Sequence, residues 1–538
     1  MKKFLAALLC GALLCGACGC ASENAPSLNI VDVGGQSSVK ITAGTSSGDA
    51  APVPSVSSSS SEAVSGITEA IPEEAEPSQA ETDRSDDTSD SIHEDIVSAP
   101  ENNESKPVVT SSAASSASST ASAATQTTST TAAKTTSTTV TTAETSRTTE
   151  QTTAPEPVVI PDTGSSSYSA LNHADVKGIW ISYIELADML TGKNEEQFRK
   201  AISSAYDNCV SLGINTVYVH VRSHGDAYYK SSLYPWSKYV TGTFGKAPSF
   251  DPLKIMISEA HSRGLSFQAW INPLRACAVG DISGESGYAV GKWADSSATA
   301  GKYVVKVGSY YYLNPAYDDV VELISAGAAE IAANYDVDGV HIDDYFYPTT
   351  DAYFDSSAYS VSGYGTLSSF RLANCDKLVS GIYRAVKSAN PTALFGVSCQ
   401  GSIENNYSQM YADVKKWCSQ SGFTDYIMPQ IYYGFNNSAQ PYSRCAAEWD
   451  ALAQSGGIPL IIGLSVSKIG LEDTWAGAGK TEWITDKNIL SRQYTEALAQ
   501  RSYGGICLYS YRSIFAPDSS VKSQVDSEVA ALKAAMNN

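Results

Sequence analysis

From Val176 to the C-terminus the chain alternates, eight times over, a short β-rich run with an amphipathic helical run. The strand candidates are VKGIWISYIE (176–185), INTVYVHVRS (214–223), LSFQAWINPLR (265–275), VDGVHIDDYF (337–346), LFGVSCQG (394–401), YIMPQIYY (426–433), PLIIGLSV (459–466) and GGICLYSY (504–511). Helical periodicity falls at 195–212, 252–263, 317–334, 368–389, 407–420, 442–454, 486–501 and 519–536, with Gly213 and Gly264 placed as C-caps. Parallel neighbours need a crossover helix, so this rhythm builds a parallel sheet with helices outside it. Eight such units in about 360 residues predict an α/β fold, a closed (β/α)8 TIM barrel with enlarged loops. A doubly wound open sheet is the alternative, but it seldom needs eight units, and no glycine-rich nucleotide turn follows the first strand. The insert 276–312 and the loop 347–367 are expected to wall a cleft.

The barrel takes up only the later two-thirds of the 538 residues. Residues 1–20, MKKFLAALLCGALLCGACGC, pair Lys2 and Lys3 with an apolar run too short to span a bilayer. They read as an export signal of lipoprotein type, with Cys18 or Cys20 as the lipidated residue; the usual leucine three positions earlier is replaced by Cys15 or Ala17. Residues 21–170 are acidic and then almost wholly Ser, Thr and Ala, and cannot bury enough apolar surface to offset chain entropy. This segment is expected to be a disordered stalk, and 171–538 the barrel. About three quarters of the net charge of −21 falls in the stalk. The acidic balance excludes nucleic acid as a partner. The expected setting is extracellular, on a cell membrane through a lipid anchor alone, facing the cell envelope, as a monomer. Seven cysteines outside the signal are scattered without metal spacing and read as buried small apolar residues.

A barrel of this kind carries its chemistry at the C-terminal strand ends. Those ends offer Glu185; Arg222, His224 and Asp226; Trp270, Asn272 and Arg275; and His341, Asp343, Asp344 and Tyr345. They continue with Gln400 and Glu404, then Gln430, Tyr432 and Tyr433, then Lys468, and finally Tyr509, Tyr511 and Arg512. Carboxylates, aromatic faces and amide or guanidinium donors together suit sugars, whose C–H faces lie on rings and whose hydroxyls take hydrogen bonds. Alternation places His341, Asp343 and Tyr345 on one face of their strand. Glycoside hydrolysis needs two carboxyl groups, one acidic and one ionised. Asp343 is the first candidate; Asp344, Glu404, Asp226 and Glu185 compete as its partner. Trp236, Trp270, Tyr432 and Tyr433 would hold sugar rings, and Arg222, Asn272, Gln400 and Gln430 would bind polar substituents. Arg222 or Arg275 would meet a carboxylate carried by the sugar, while Arg222 and Asp226 could instead form a structural ion pair. The six histidines lack metal-ligand spacing, GxSxG is absent, and no glycine-rich loop with a lysine appears, so no metal or cofactor is expected.

The segments KGIWISYIE, VYVHVRSHGDAYY, YPWSKYVTGTFG, DPLKIMISEAHSRGL, AWINPLR, YLNPAYDDV, YDVDGVHIDDYFYP and DYIMPQIYYGF, in order over 176–515, resemble the glycosyl-hydrolase-like family ten domain. The resemblance implies a TIM barrel and, through envelope glycosidases of that family, peptidoglycan strands stripped of stem peptides as substrate. GVHID is also similar to the amylase-type fourth strand, whose nucleophile falls on Asp343. DGVHIDDY is similar to the family 18 chitinase motif, whose catalytic glutamate falls on Tyr345, a departure from that pattern. GLSVSKIG lacks the strand-seven glutamate of the cellulase-type clan. The expected function is therefore an envelope-anchored hydrolase of cell-wall glycan. A non-catalytic glycan-binding lipoprotein and a hydrolase of exogenous polysaccharide are the alternatives; the latter is disfavoured because no carbohydrate-binding or dockerin module is evident.

Overall fold

The computed structural model describes residues 165–344 and 346–537. The segments expected to be an export signal, with Cys18 and Cys20, and a stalk, as far as residue 164, and Tyr345 lie outside the described residues. The described residues form eleven strands: β1 (Val176–Ile181), β2 (Thr216–Arg222), β3 (Ser266–Ile271), β4 (Arg275–Ala278), β5 (Val304–Val307), β6 (Tyr310–Leu313), β7 (Gly339–Ile342), β8 (Leu394–Val397), β9 (Tyr426–Ile427), β10 (Leu460–Ser465) and β11 (Tyr503–Tyr509). Eight of them close a barrel in the order β1-β11-β10-β9-β8-β7-β3-β2, every neighbouring pair parallel. This is the (β/α)8 architecture that the alternation predicts. The insert after β3 forms a separate antiparallel sheet, ordered β4-β6-β5.

Long helices occupy the expected places: Glu195–Leu212, Pro252–His261, Asp318–Asn334, Leu367–Ala389, Tyr442–Gly456, Ile489–Leu498 and Lys522–Met536. Gly213 and Gly264 have left-handed φ of 97° and 70°. Two local expectations fail. The helix expected at 407–420 is two short ones, Ile403–Ser408 and Val414–Ser419, because Tyr411 between them takes φ 54°. The first strand stops at Ile181, where Ser182 and Glu185 make a capping box that starts the helix Tyr183–Leu190.

Rings fill the barrel. Trp180, Tyr218, Trp270 and Tyr426 form one buried cluster with Met428, Ile461 and Cys507. Glycines on facing positions make room for them. A Cβ at Gly396 would run into the Tyr426 ring, and one at Gly178 would meet both Cys507 and Tyr218. At the N-terminal end, the Asp338 carboxylate gathers Tyr168 Oη (2.8 Å), His261 Nε2 (2.9 Å) and the Phe267 backbone N–H (2.6 Å), so the segment before β1 plugs that end. The seven described cysteines are all free and buried.

The loop after β7 is pinned by a fully buried pair. Arg371 gives Asp355 two hydrogen bonds, of 2.9 and 2.8 Å, and gives the carbonyls of Thr349 and Asp351 one each. The Tyr347 and Tyr411 rings cover its guanidinium. The requirement for a bare backbone opposite Tyr426 is open to test. Gly396→Ala is expected to lower stability by about 1–3 kcal/mol through overpacking. An unchanged urea midpoint would show that the ring has room.

Candidate active site

The site is built upward from the rings of the barrel. His341 on β7 is fully buried. Its Nε2 accepts the Trp180 indole N–H at 3.3 Å, and an indole nitrogen only donates. Its Nδ1 therefore carries the ring proton and donates to Tyr426 Oη at 3.1 Å. Burial pushes the His341 pKa down to about 3, which keeps the ring neutral. His220 on β2 takes the opposite tautomer. Its Nδ1 accepts the Tyr183 backbone N–H at 3.0 Å, leaving Nε2–H to donate to Asn272 Oδ1 at 3.1 Å. Trp270 stacks on His220 with ring centroids 3.3 Å apart. That stack fixes the indole edge, whose N–H donates to Asp343 Oδ2 at 3.1 Å.

Asp343 and Asp344 follow β7 directly, and their environments differ. Asp343 is buried against Trp270. Asp344 is half-buried and accepts Gln430 Nε2 at 3.5 Å. Burial pushes its pKa up, while hydrogen bonds from Gln400 and Gln430 pull the other way and only partly offset the desolvation. Gln400 and Gln430 are themselves in register, bridged to each other and onward to Gly463. Tyr432 lies beside both acids: their charges add to burial in raising its hydroxyl pKa. Its ring stacks on Tyr509 at 5.6 Å and meets Trp180 edge-on at 6.5 Å. The result is two adjacent carboxyls at the barrel mouth, one oriented by an indole, the other protonated more readily than an ordinary aspartate, with aromatic faces beside them.

Other candidates stand elsewhere. His341 is not at the surface of the site, because both of its ring nitrogens are used within the barrel. Asn272 is buried and holds His220. Glu185 is consumed as a cap and a clamp, accepting Ser510 Oγ and the Arg512 N–H at 2.6 Å each. Glu404 is exposed in the first turn of Ile403–Ser408, and none of the described contacts ties its carboxylate to Asp343. Lys468 is paired with Asp473 at 2.7 Å. Trp236 is half-buried and packs on the core beyond β2, and Tyr433 is half-buried beside Gly401. Arg275 starts β4, its guanidinium 4.5 Å from the Tyr310 ring centre. Among the described residues no three His, Cys, Asp or Glu side chains converge as a metal site.

Arg222 and Asp226 sit in a separate cluster. Both are buried, at 0% and 2% exposure, Asp226 to the same degree as Asp343, and Asp226 lines a small cavity with His224, Lys238 and Tyr310. Arg222 lies 4.8 Å from the Tyr234 ring centre and donates to the His224 carbonyl. Glu285, brought in by the insert, is buried beside them with both carboxyl oxygens lacking a protein partner. Residue spacing offers no hint of it, since it lies about sixty residues away at the end of the 3-10 helix Val279–Glu285. Burial and then the Asp226 charge push the Glu285 pKa well up, with Arg222 opposing; burial raises Asp226 to about 6. A carboxyl whose folded pKa is raised gives stability that is complete below its unfolded pKa and is lost as pH rises through the folded one. Glu285→Gln should therefore raise the Tm at pH 8 and make little difference at pH 4. Thermal melts showing a stabilisation that is larger at pH 4 would reverse this reading.

The sequence profile of the family described as Glycosyl hydrolase-like 10 matches residues 175–477, which include Asp343, Asp344, Trp180, Trp270, Tyr426 and Tyr432. Glycosyl hydrolase DigH of Escherichia coli strain K12 is 30% identical over 362 residues, 60% of this chain and 82% of that one. Glycosyl hydrolase YngK of Bacillus subtilis strain 168 is 31% identical over 329 residues, 56% of this chain and 62% of that one. The glycoside hydrolase domain of PgaB (BpsB) from Bordetella bronchiseptica overlays with TM-score 0.42 and 12% identity, covering 66% of this chain and 99% of that one; so loose an overlay carries no residue across. The profile match spans more than half of the sequence, and the chain belongs to the glycosyl hydrolase-like 10 family.

Proposed function

We propose that this glycoside hydrolase cuts the glycan strands of the bacterial cell wall after their stem peptides have been removed. The observation that carries the reading is the pair Asp343 and Asp344, two acids in unlike surroundings at the mouth of an aromatic-lined barrel. Asp344, with its raised pKa, would hold a proton and give it to the leaving glycosidic oxygen. Asp343, aimed by the Trp270 N–H, would face the positive charge that develops at the anomeric carbon, as nucleophile or as stabilising anion. Trp270, Tyr432 and Tyr509 would cover sugar C–H faces. Membership of the family supports hydrolysis; the resemblance to envelope glycosidases and the export-signal pattern of residues 1–20 support the choice of wall glycan. A lipid on Cys18 or Cys20, with 21–170 as a tether, would hold the barrel at the membrane surface within reach of the wall.

The full chain should release disaccharide-repeat fragments, identified by mass spectrometry, from amidase-treated sacculi and not from intact ones. Asp344→Asn should lower kcat by roughly 10²–10⁴-fold, the usual contribution of a positioned proton donor, and Asp343→Asn should abolish release. A wild-type chain that binds the glycan but releases nothing would make it a glycan-binding protein instead.

The acid assignment has its own test. The Gln430 N–H stabilises ionised Asp344, so Gln430→Leu should move the alkaline limb of the kcat profile to higher pH. A limb that stays put or moves down would remove Asp344 from the role.

A further inference from the structure

Nine large apolar side chains are exposed among the described residues, and their placement is uneven. Only Val210 and Leu498 stand on the long outer helices; the other seven lie in the stretches between a barrel strand and the next long helix, Tyr407 and Ile484 on short helices there, on the face that carries Asp343. Trp475 is the extreme case. It is 68% exposed, yet its neighbours Asp473 and Ala476 are 7% and 1% exposed. The backbone around it is fixed: Ala476 N–H donates to Asp473 O at 3.0 Å, Ser438 N–H donates to Ala476 O at 2.9 Å, and Lys468 holds Asp473. Glu482, at the far end of this loop, accepts the N–H groups of Phe435 and Asn436 at 2.8 Å each. A rigid loop therefore holds an indole out in water, where it loses hydrophobic free energy until something covers it.

Tyr407, 40% exposed, is placed in a similar way. It stands on Ile403–Ser408, next to Asn406, whose amide donates to the carbonyls of Gln400 at 2.7 Å and Ser402 at 2.8 Å and accepts the Gln400 N–H. Gln440 Nε2 reaches Ser402 Oγ at 3.4 Å, so the loops after β8, β9 and β10 form one hydrogen-bonded rim. Tyr407 and Trp475 occupy its two outer loops, and Gln430 and Tyr433 lead into the middle one.

We propose that Trp475 and Tyr407 are outer platforms for a long glycan strand, engaging sugar units beyond those at Asp343 and Asp344 and favouring long chains over fragments. The proposal rests on the glycan reading of the site. A polymer is the occupant that fits, because the Tyr407 loop is tied to Gln400 through Asn406 and the Trp475 loop to the loop after β9 through Ser438, and because flat rings with polar tips suit sugar faces.

The test uses the full chain carrying Asp343→Asn, so that bound glycan is not consumed. Affinity is measured for peptide-free strands from amidase-treated sacculi and for a two-disaccharide fragment of the same strands. Trp475→Ala and Tyr407→Ala should each lower the ratio of strand to fragment affinity about tenfold, the scale of one aromatic contact with its buried area. Leu498→Ala, exposed on an outer helix, should leave that ratio alone. An unchanged ratio in both platform variants would overturn the proposal and mark Trp475, with Leu471 on the same loop, as a surface for a protein partner. Failure of the parent chain to prefer strands over fragments would also overturn it. A wild-type chain that hydrolyses nothing, while the ratio still falls on Trp475→Ala, would sink the hydrolase reading and leave the platforms standing.

Discussion

The barrel interior must be filled, and this chain fills it with rings that carry polar tips. Buried N–H and O–H groups need partners, so each ring must meet its neighbour in a set direction. Trp180 can only donate, so His341 must accept at Nε2, and its proton goes to Nδ1 and Tyr426. His220, held by a backbone N–H, must donate to Asn272. The glycines opposite these rings are the other half of the same constraint, because a methyl group at Gly396 would occupy the space of the Tyr426 ring. The rings then act as a rigid floor, and the Trp270 indole projects from it to Asp343. Position at the active end is thus inherited from packing lower in the barrel.

Two neighbouring aspartates on one strand end have the same intrinsic acidity, and only their surroundings can make them differ. Asp343 accepts the Trp270 indole N–H, and the stack on His220 holds that indole in place. Asp344 loses solvent and gains only amide donors, from Gln400 and Gln430, which oppose the desolvation without cancelling it. The amides come from the strands on one side of β7 and the indole from the strand on the other. Barrel closure therefore places unlike partners on either side of a single sequence motif, which a site confined to one helix or one loop could not do as simply.

Much of the fold was legible because its signal is periodic. Eight strand cores and most of the long helices follow from apolar spacing and glycine caps alone. The misses have local causes. A helix across 407–420 is consistent with its composition, but Tyr411 is needed against Tyr347 and Arg371 and takes a left-handed backbone to get there. The Ser182–Glu185 box carried a readable signature, S-x-x-E, that the β-rich run around it masked. The antiparallel sheet of the insert has strands of four residues each, too short to show a period.

The site was legible in a different measure, because a strand-end rule gives height in the barrel but not depth from solvent. It finds Asp343, Asp344, Trp270, Gln430 and Tyr432, whose side chains the structure brings together. It also finds Arg222 and Asp226, which are buried as Asp343 is but stand in a separate cluster. What separates the two groups is cover from distant sequence. Tyr234 closes over Arg222, and the insert delivers Glu285 beside it, so a position that would face substrate in a bare barrel becomes an internal charge cluster. Burying one guanidinium with two carboxyls leaves at least one acid poorly compensated, and the upward shifts of Asp226 and Glu285 are the record of that imbalance. Asp343 is itself buried, and the half-exposed groups beside it are Asp344, Gln430 and Tyr432. The insert thus packs on the Arg222 flank, at Gly225, while Asp344 meets Gln430 at the start of the rim of loops after β8, β9 and β10.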